Sequence, residues 1–180
     1  MEGESMKKKE SAGLPVLTAL FAALIFVVTA YLFHIPTPAT GGYIHLGDAF
    51  LYLAASILPV PYAVAAGGIG EALSDALTGS AVYALPTLVI KSAMVLCFSS
   101  TAKTVISKRN LIASAAAGGI CVAGYYLTEA VLLGGFAAPA AEIPGNLVQA
   151  AASAVIYILL GRAFDRLKLK DRLAVMVKLR

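Results

Sequence analysis

LPTLVIKSAMVLCFSS, from Leu85 to Ser100, is an apolar run holding a single charge, Lys91. Insertion scales put a lysine at mid-helix at about 2.5 to 3.5 kcal/mol in a membrane. A chain that keeps such a residue has a use for it. Every other Lys or Arg lies near the amino terminus, between Lys103 and Arg109, or after Gly161.

The composition agrees with a membrane reading. Of 180 residues, 59% are hydrophobic and 13% charged, with a mean hydropathy of +0.84. Soluble domains carry about 25% charge. The net charge of +4 does not point to nucleic acid, because the cations cluster at the termini and one loop. Cys97 and Cys121 sit in apolar segments without metal-ligand neighbours, which reads as two buried free thiols. Lys7-Lys8-Lys9 before an apolar run has the outline of a signal peptide. The run is long, however, and Pro36 and Pro38 break the cleavage region, so a retained first helix is the favoured reading.

Pro and Gly divide the chain into six predicted crossings. They are Leu14 to Phe33, Gly47 to the Pro59-Val-Pro61 break, Tyr62 to Gly79, Pro86 to Ser107, Asn110 to Leu133, and Pro144 to Gly161. With the amino terminus cytoplasmic, all the basic clusters fall on the cytoplasmic side. The connections His34–Leu46, Ser80–Leu85 and Gly134–Ile143 then contain no Lys or Arg, a clean positive-inside pattern. The expected fold is an all-α membrane protein forming one domain over residues 1–180. Residues 1–13 are a basic cytoplasmic terminus, 14–161 the six-helix bundle, and 162–180 a basic amphipathic cytoplasmic tail.

In this topology the intramembrane polar residues share one outer layer. Asp48 opens helix two. Glu71 and Asp75 lie in the outer turns of helix three. Lys91 is roughly 7–8 Å into helix four at 1.5 Å per residue. Glu129 is one turn from the end of helix five, and Asn146 and Gln149 begin helix six. The inner halves hold almost none. Polar groups in hydrocarbon face one another or a water-filled cavity, so an outward-facing cavity for a small molecule is expected. Tyr125 and Tyr83 supply aromatic walls. His45 reads as a loop or interface residue rather than a metal ligand, and no metal is expected; it joins the binding candidates.

Structural readings stand beside these. Lys91 is either a ligand group or the ion-pair partner of Glu129 or Asp75. Asp48 suits a helix N-terminal acid stabilised by the macrodipole. Glu142, just before Pro144, reads as solvated. Asn146 and Gln149 suit interhelical hydrogen bonding, and the tyrosines suit interfacial anchors.

The chain resembles the substrate-binding S components of energy-coupling factor (ECF) vitamin transporters, in the riboflavin/folate/pyridoxine-type group. The resemblance rests on Ala19-x-x-x-Ala23, on Gly42-Tyr-Ile-His-Leu-Gly-Asp48, and on Gly70-Glu-Ala-Leu-Ser-Asp-Ala-Leu-Thr-Gly79 followed by Tyr83-Ala-Leu-Pro-Thr-Leu-Val-Ile-Lys91. It implies a ligand site built from Lys91, Tyr125, Glu129, Asn146 and Gln149, with the His34–Leu46 loop as lid. It also implies that Ala19 and Ala23 dock on a transmembrane coupling subunit, which works with two ATPases. No cofactor is expected in this chain, since it has no nucleotide motif and ATP is used by the partners. The absence of Trp departs from S components that stack their ligand on indole.

The expected function is outer-face capture of a vitamin or vitamin precursor in the cell membrane, for ATP-driven uptake. One rival is a small membrane enzyme acting on a lipid, which lacks an acidic metal cluster or a Ser–His pairing to support it. The other is a structural or assembly protein, in which Lys91 serves folding alone.

Overall fold

A computed structural model describes residues 13–38 and 40–177. The Lys7-Lys8-Lys9 cluster and the last tail residues, Lys178 to Arg180, lie outside the described residues. Helix α1 (Gly13–Tyr31) carries no charged residue. Past it, Pro36 biases Ile35 toward extended backbone. Strands β1 (Ile35–Thr37) and β2 (Gly42–Ile44) pair antiparallel, Ile35 opposite Ile44 and Thr37 opposite Gly42. Gly41 supplies the turn at φ +74°, a conformation that costs a residue with a Cβ.

Helix α2 (Asp48–Ile57) is buried at every residue except Phe50. A helix apolar on nearly all sides belongs inside a bundle, and α2 packs against α1, α5 and α7. Next come α3 (Val60–Val64), a π-helical turn (Ala65–Ile69) and α4 (Gly70–Leu77), joined without leaving helical backbone. The π turn resets the helix phase, and single π turns are often found at functional sites. Beyond it, Glu71, Ser74 and Asp75 lie on one buried face. A 3₁₀ turn (Ala81–Tyr83) leads into α5 (Ala84–Leu96), followed by α6 (Lys108–Leu132), α7 (Ala137–Arg166) and α8 (Leu169–Met176). Neighbours pack in the order α1, α4, α5, α6, α7, with α2 enclosed.

Three helices are long and apolar enough to cross a membrane: α1, α6 and α7. Two shorter apolar helices, Asp48–Ile57 and Ala81–Leu96, accompany them. Their outward faces expose Leu20, Val27, Val89, Val131 and Val155, far more apolar surface than water tolerates on a soluble monomer.

The structure departs from the sequence reading in three places. The fourth helix stops at Leu96 instead of running to Ser107. The hydroxyls of Ser99, Thr104 and Ser107 bond backbone groups of Thr101, Ile106 and Asn110, local bonds that compete with a helix. The last long helix starts at Ala137, not Pro144, and continues to Arg166 past Gly161. Pro139 sits in its first turn, where no N–H is needed, and Pro144 is carried within the helix.

The third departure is a second polar cluster at the end opposite the hairpin, where the sequence reading expected almost none. The Asn110 amide donates to the carbonyls of Ser99 and Val105 and to Ser56 Oγ, and its oxygen accepts from the Ser99 N–H. Tyr157 donates to the Val105 carbonyl. Asp165 accepts from the N–H groups of Val105 and Ile106. Lys170, from α8, donates to the carbonyls of Ser56 and Ala102 at 2.7 Å each. The tail helix is thereby pinned beneath the bundle through a buried lysine.

Candidate functional site

At the hairpin end, six helices and one loop place polar side chains together. Lys91 Nζ lies 2.5 Å from Asp48 Oδ1, and neither side chain is exposed. The sequence reading offered Lys91 a partner in Glu129 or Asp75 and gave Asp48 a capping role. The observed partner is Asp48, because α2 is the enclosed helix and its first turn faces α5. The other Asp48 oxygen accepts from Gln149 Nε2 at 2.9 Å. Gln149 Oε1 accepts the His45 backbone N–H at 3.0 Å, so one amide of α7 ties the loop to the ion pair.

His45 Nδ1 accepts the Gly47 N–H at 3.1 Å, which places the ring proton on Nε2. That nitrogen faces Glu71 Oε2 at 3.5 Å. Burial, and then the Lys91 charge, push His45 down to about 3, so the ring is neutral and the contact with Glu71 is not an ion pair. Glu71 Oε2 also accepts from Thr29 Oγ1 at 3.1 Å. Gly47 is required by this crowding: a Cβ there would overlap Thr29 Oγ1 and stand 2.7 Å from Glu71 Oε1.

His45, Asp48 and Glu71 bring one potential metal-ligand atom each to within 4.8 Å of one another. The chain already uses the atoms of His45 and Asp48, while Glu71 keeps Oε1 without a donor among the described residues. Both Asp48 oxygens are hydrogen-bonded, the free lone pair of His45 points at the Gly47 N–H, and the Lys91 ammonium provides the local cation.

Above this network lies a cavity lined by seven of the expected residues: His45, Asp75, Tyr83, Tyr125, Glu129, Asn146 and Gln149. Lys91 and Glu71 do not line it. Lys91 stands behind the wall, 5.5 Å from the centre of the Tyr125 ring. Four further residues line it that the sequence reading did not place at the site: Thr37, Gly42, Tyr43 and Glu142. Three belong to the hairpin, which a loop reading of its Pro and Gly residues left without side-chain roles. Glu142, read as solvated, lines the cavity because the helix begins before Pro144 rather than at it.

The hairpin closes the cavity. Tyr43 donates to Asp75 Oδ1 at 2.7 Å and contacts Ser74 Oγ at 3.0 Å. Burial, then the Asp75 charge, hold the Tyr43 phenol well above its ordinary value, so it stays a donor. Tyr83 donates to the Thr40 carbonyl at 2.7 Å, and Ser80 to the Gly41 carbonyl at 3.1 Å. The His34 and Tyr43 rings stack at 3.9 Å. Space open to a water-sized sphere is about 30 Å³, room for roughly two waters. Ala19 and Ala23 are both exposed on α1, away from this cavity.

The fold and the sequence both have counterparts. A solved structure described as "Structure and mechanism of the S component of a bacterial ECF transporter" superposes with a TM-score of 0.63, covering 86% of this chain and 96% of that one at 17% identity. An uncharacterised protein from a gap 3′ region of Pyrococcus woesei is 33% identical over 129 residues, 72% of this chain and 86% of the relative. The model of the family described as "ECF-type riboflavin transporter, S component" matches residues 11–166. That match takes in α1, the hairpin and every element that lines the cavity, so the chain belongs to the family of ECF-type riboflavin transporter S components, substrate-binding subunits of transporters rather than enzymes.

Proposed function

We propose that this chain captures a vitamin or vitamin precursor at the outer face of a cell membrane for ATP-driven import. The hairpin end faces outward, the chain crosses the membrane six times, and both termini lie in the cytoplasm. The cations at 103–109 and 162–180 then sit on the cytoplasmic side, as the positive-inside rule requires. Ala19 and Ala23 form the contact with a transmembrane coupling subunit, their small side chains allowing close helix approach. Two ATPases bound to that subunit supply the energy, and this chain holds no cofactor.

One observation carries the reading: the cavity beneath the hairpin is walled by polar groups from α4, α6 and α7 whose hydrogen-bonding capacity the chain itself leaves partly unused. Asp75 Oδ2 and Glu129 Oε2 are buried and find no donor among the described residues. Such oxygens cost about 1–3 kcal/mol each when left so, which suits a site that a guest completes. Hairpin opening admits the guest and reclosure shields it.

Native mass spectrometry of the full-length protein, purified from cells in mild detergent, tests this. The expected result is a small molecule that leaves on mild activation and is lost in the Gln149→Leu variant, with the protein still monodisperse. A protein that carries nothing, and whose melting temperature no vitamin raises, contradicts it.

A further inference from the structure

The last turns of α7 carry a stripe that ligand capture leaves unused. Leu159, Arg162, Ala163 and Arg166 follow one another at three- and four-residue spacing, so they share one face of the helix. With Leu167 they line an open groove of about 340 Å³. Leu159 and Leu167 are 60% and 56% exposed, and both arginines are exposed. Val148 and Val155, also exposed, continue the apolar face toward the hairpin end. No carboxylate of the described residues pairs with either arginine. Asp165, the acid between them, is turned to the 97–107 loop, where it accepts the N–H groups of Val105 and Ile106. Like charges four residues apart repel along a helix, and these stand about 6 Å apart along the axis at 1.5 Å per residue. The helix macrodipole favours a cation in the last turn, but it accounts for neither the pairing nor the apolar bed beneath it.

We infer that this stripe seats an anionic phospholipid of the cytoplasmic leaflet, with its phosphate between the Arg162 and Arg166 guanidiniums and its chains along Leu159 and Val155. A guanidinium presents a planar fork of donors that fits phosphate oxygens. Long basic side chains reach from an apolar helix face to the headgroup layer. A soluble anion uses the arginines and leaves Leu159 and Leu167 bare, whereas a lipid uses both. Cytoplasmic leaflets carry anionic lipid, and basic clusters beside a crossing gather it. The headgroup neutralises the arginine pair and holds the end of α7 at the membrane surface, just before Lys168 turns the chain into α8 with left-handed backbone at φ 52°. This inference rests on the topology proposed above, which puts residues 162–180 on the cytoplasmic side, and is independent of the guest beneath the hairpin.

Native mass spectrometry of the full-length protein in detergent, titrated with phosphatidylglycerol or phosphatidylcholine of matched chains, tests the inference. Phosphatidylglycerol should bind ten-fold or more tighter. Arg162→Gln combined with Arg166→Gln should cut that preference to about two-fold, while Lys103→Gln combined with Arg109→Gln, the same charge removed from another basic segment, leaves it above about five-fold. Should the first pair misfold, Arg162→Gln alone should lower the preference at least three-fold. Glycerol phosphate, a headgroup without chains, should not displace the lipid at hundred-fold excess. Equal binding of the two lipids overturns the inference, as does a preference that both pairs of substitutions lower alike, which marks diffuse charge. Displacement by glycerol phosphate assigns the groove to a free phosphate and overturns it too. Equal lipid binding, with a copurifying acidic protein lost on the Arg162 and Arg166 substitutions, assigns the stripe to that protein instead. The topology is tested apart from the lipid: Thr101→Cys, at an exposed position, in a Cys97→Ser background should react with a membrane-impermeant maleimide only from the cytoplasmic side. Reaction from outside overturns the topology and the choice of leaflet, and leaves the lipid titration as measured.

Discussion

Two polar clusters lie along one stripe of α7, and they differ in what they leave unmatched. Gln149, Ser153, Tyr157 and Gly161 recur every four residues on its buried face. Gln149 joins the hairpin end and Tyr157 joins the tail end. At the tail end, Asn110, Tyr157, Asp165 and Lys170 mostly bond backbone groups of the 97–107 loop. Their work is to close a loop that has no helix to satisfy it, and buried backbone groups demand that. At the hairpin end several bonds run between side chains of different elements, as Lys91–Asp48, Gln149–Asp48, Thr29–Glu71 and Tyr43–Asp75 do. All three buried carboxylate oxygens without a donor among the described residues, on Glu71, Asp75 and Glu129, lie there. Matched polarity fixes structure; in the proposed function, the unmatched polarity of the cavity is where a ligand contributes.

The largest expected effect probes the buried ion pair of the hairpin end. Lys91→Ala leaves Asp48 charged and buried alone, and breaking such a pair costs about 3–5 kcal/mol. Thermal unfolding in detergent should show a protein near its folding limit, while Lys91→Met with Asp48→Leu recovers most of the loss. A mild effect of the single substitution would mean water reaches this pair.

Asn110→Ala should cost about 2–3 kcal/mol, since several buried backbone partners lose their match at once. Ligand affinity should stay within two-fold. Lost binding at unchanged stability would reverse the roles assigned to the two clusters.

A smaller, pH-dependent effect belongs to His45. Its folded-state value of about 3 lies below the 6.5 of a free imidazole. The unfolded chain therefore takes up the proton first, and stability is lost as pH falls through 6.5. At pH 5.5 this one residue removes about 1.4 kcal/mol. Glu71, Asp48, Lys91 and His34 surround it, so the comparison of interest is native protein against His45→Asn, whose melting temperature should fall less between pH 7.5 and 5.5.

Smallest is the lid. Tyr43→Phe removes a phenol bond to Asp75, roughly 1 kcal/mol. Ligand release should quicken about five-fold with little change in melting temperature, as stopped-flow displacement would show.

The hairpin-end cluster was legible because a charge inside an apolar run is conspicuous. Glu71, Asp75 and Glu129 stand in such runs, and Gln149 is an amide in another. The choice of Asp48 for Lys91 was not legible, because the two are far apart in sequence and two other acids were equally plausible by depth. The tail-end cluster escaped notice because Asn, Ser and Tyr are ordinary in apolar helices. The 97–107 loop passed for helix because Cys97, Phe98, Val105 and Ile106 continue the apolar pattern, while the Ser and Thr residues that compete for its backbone carry no charge. Glu142 was misplaced by Pro144, which stops most helices but is carried inside this one.

The decisive observation is an experimental structure with the small molecule that accompanies the purified protein bound. The guest should lie beneath the closed hairpin, donating to Glu129 and Asp75, with Lys91 still on Asp48 and the Asn110 cluster unchanged. A guest held by Lys91 with Asp48 displaced, or one seated outside the space between the hairpin, α6 and α7, would contradict the division of labour between matched and unmatched polar groups.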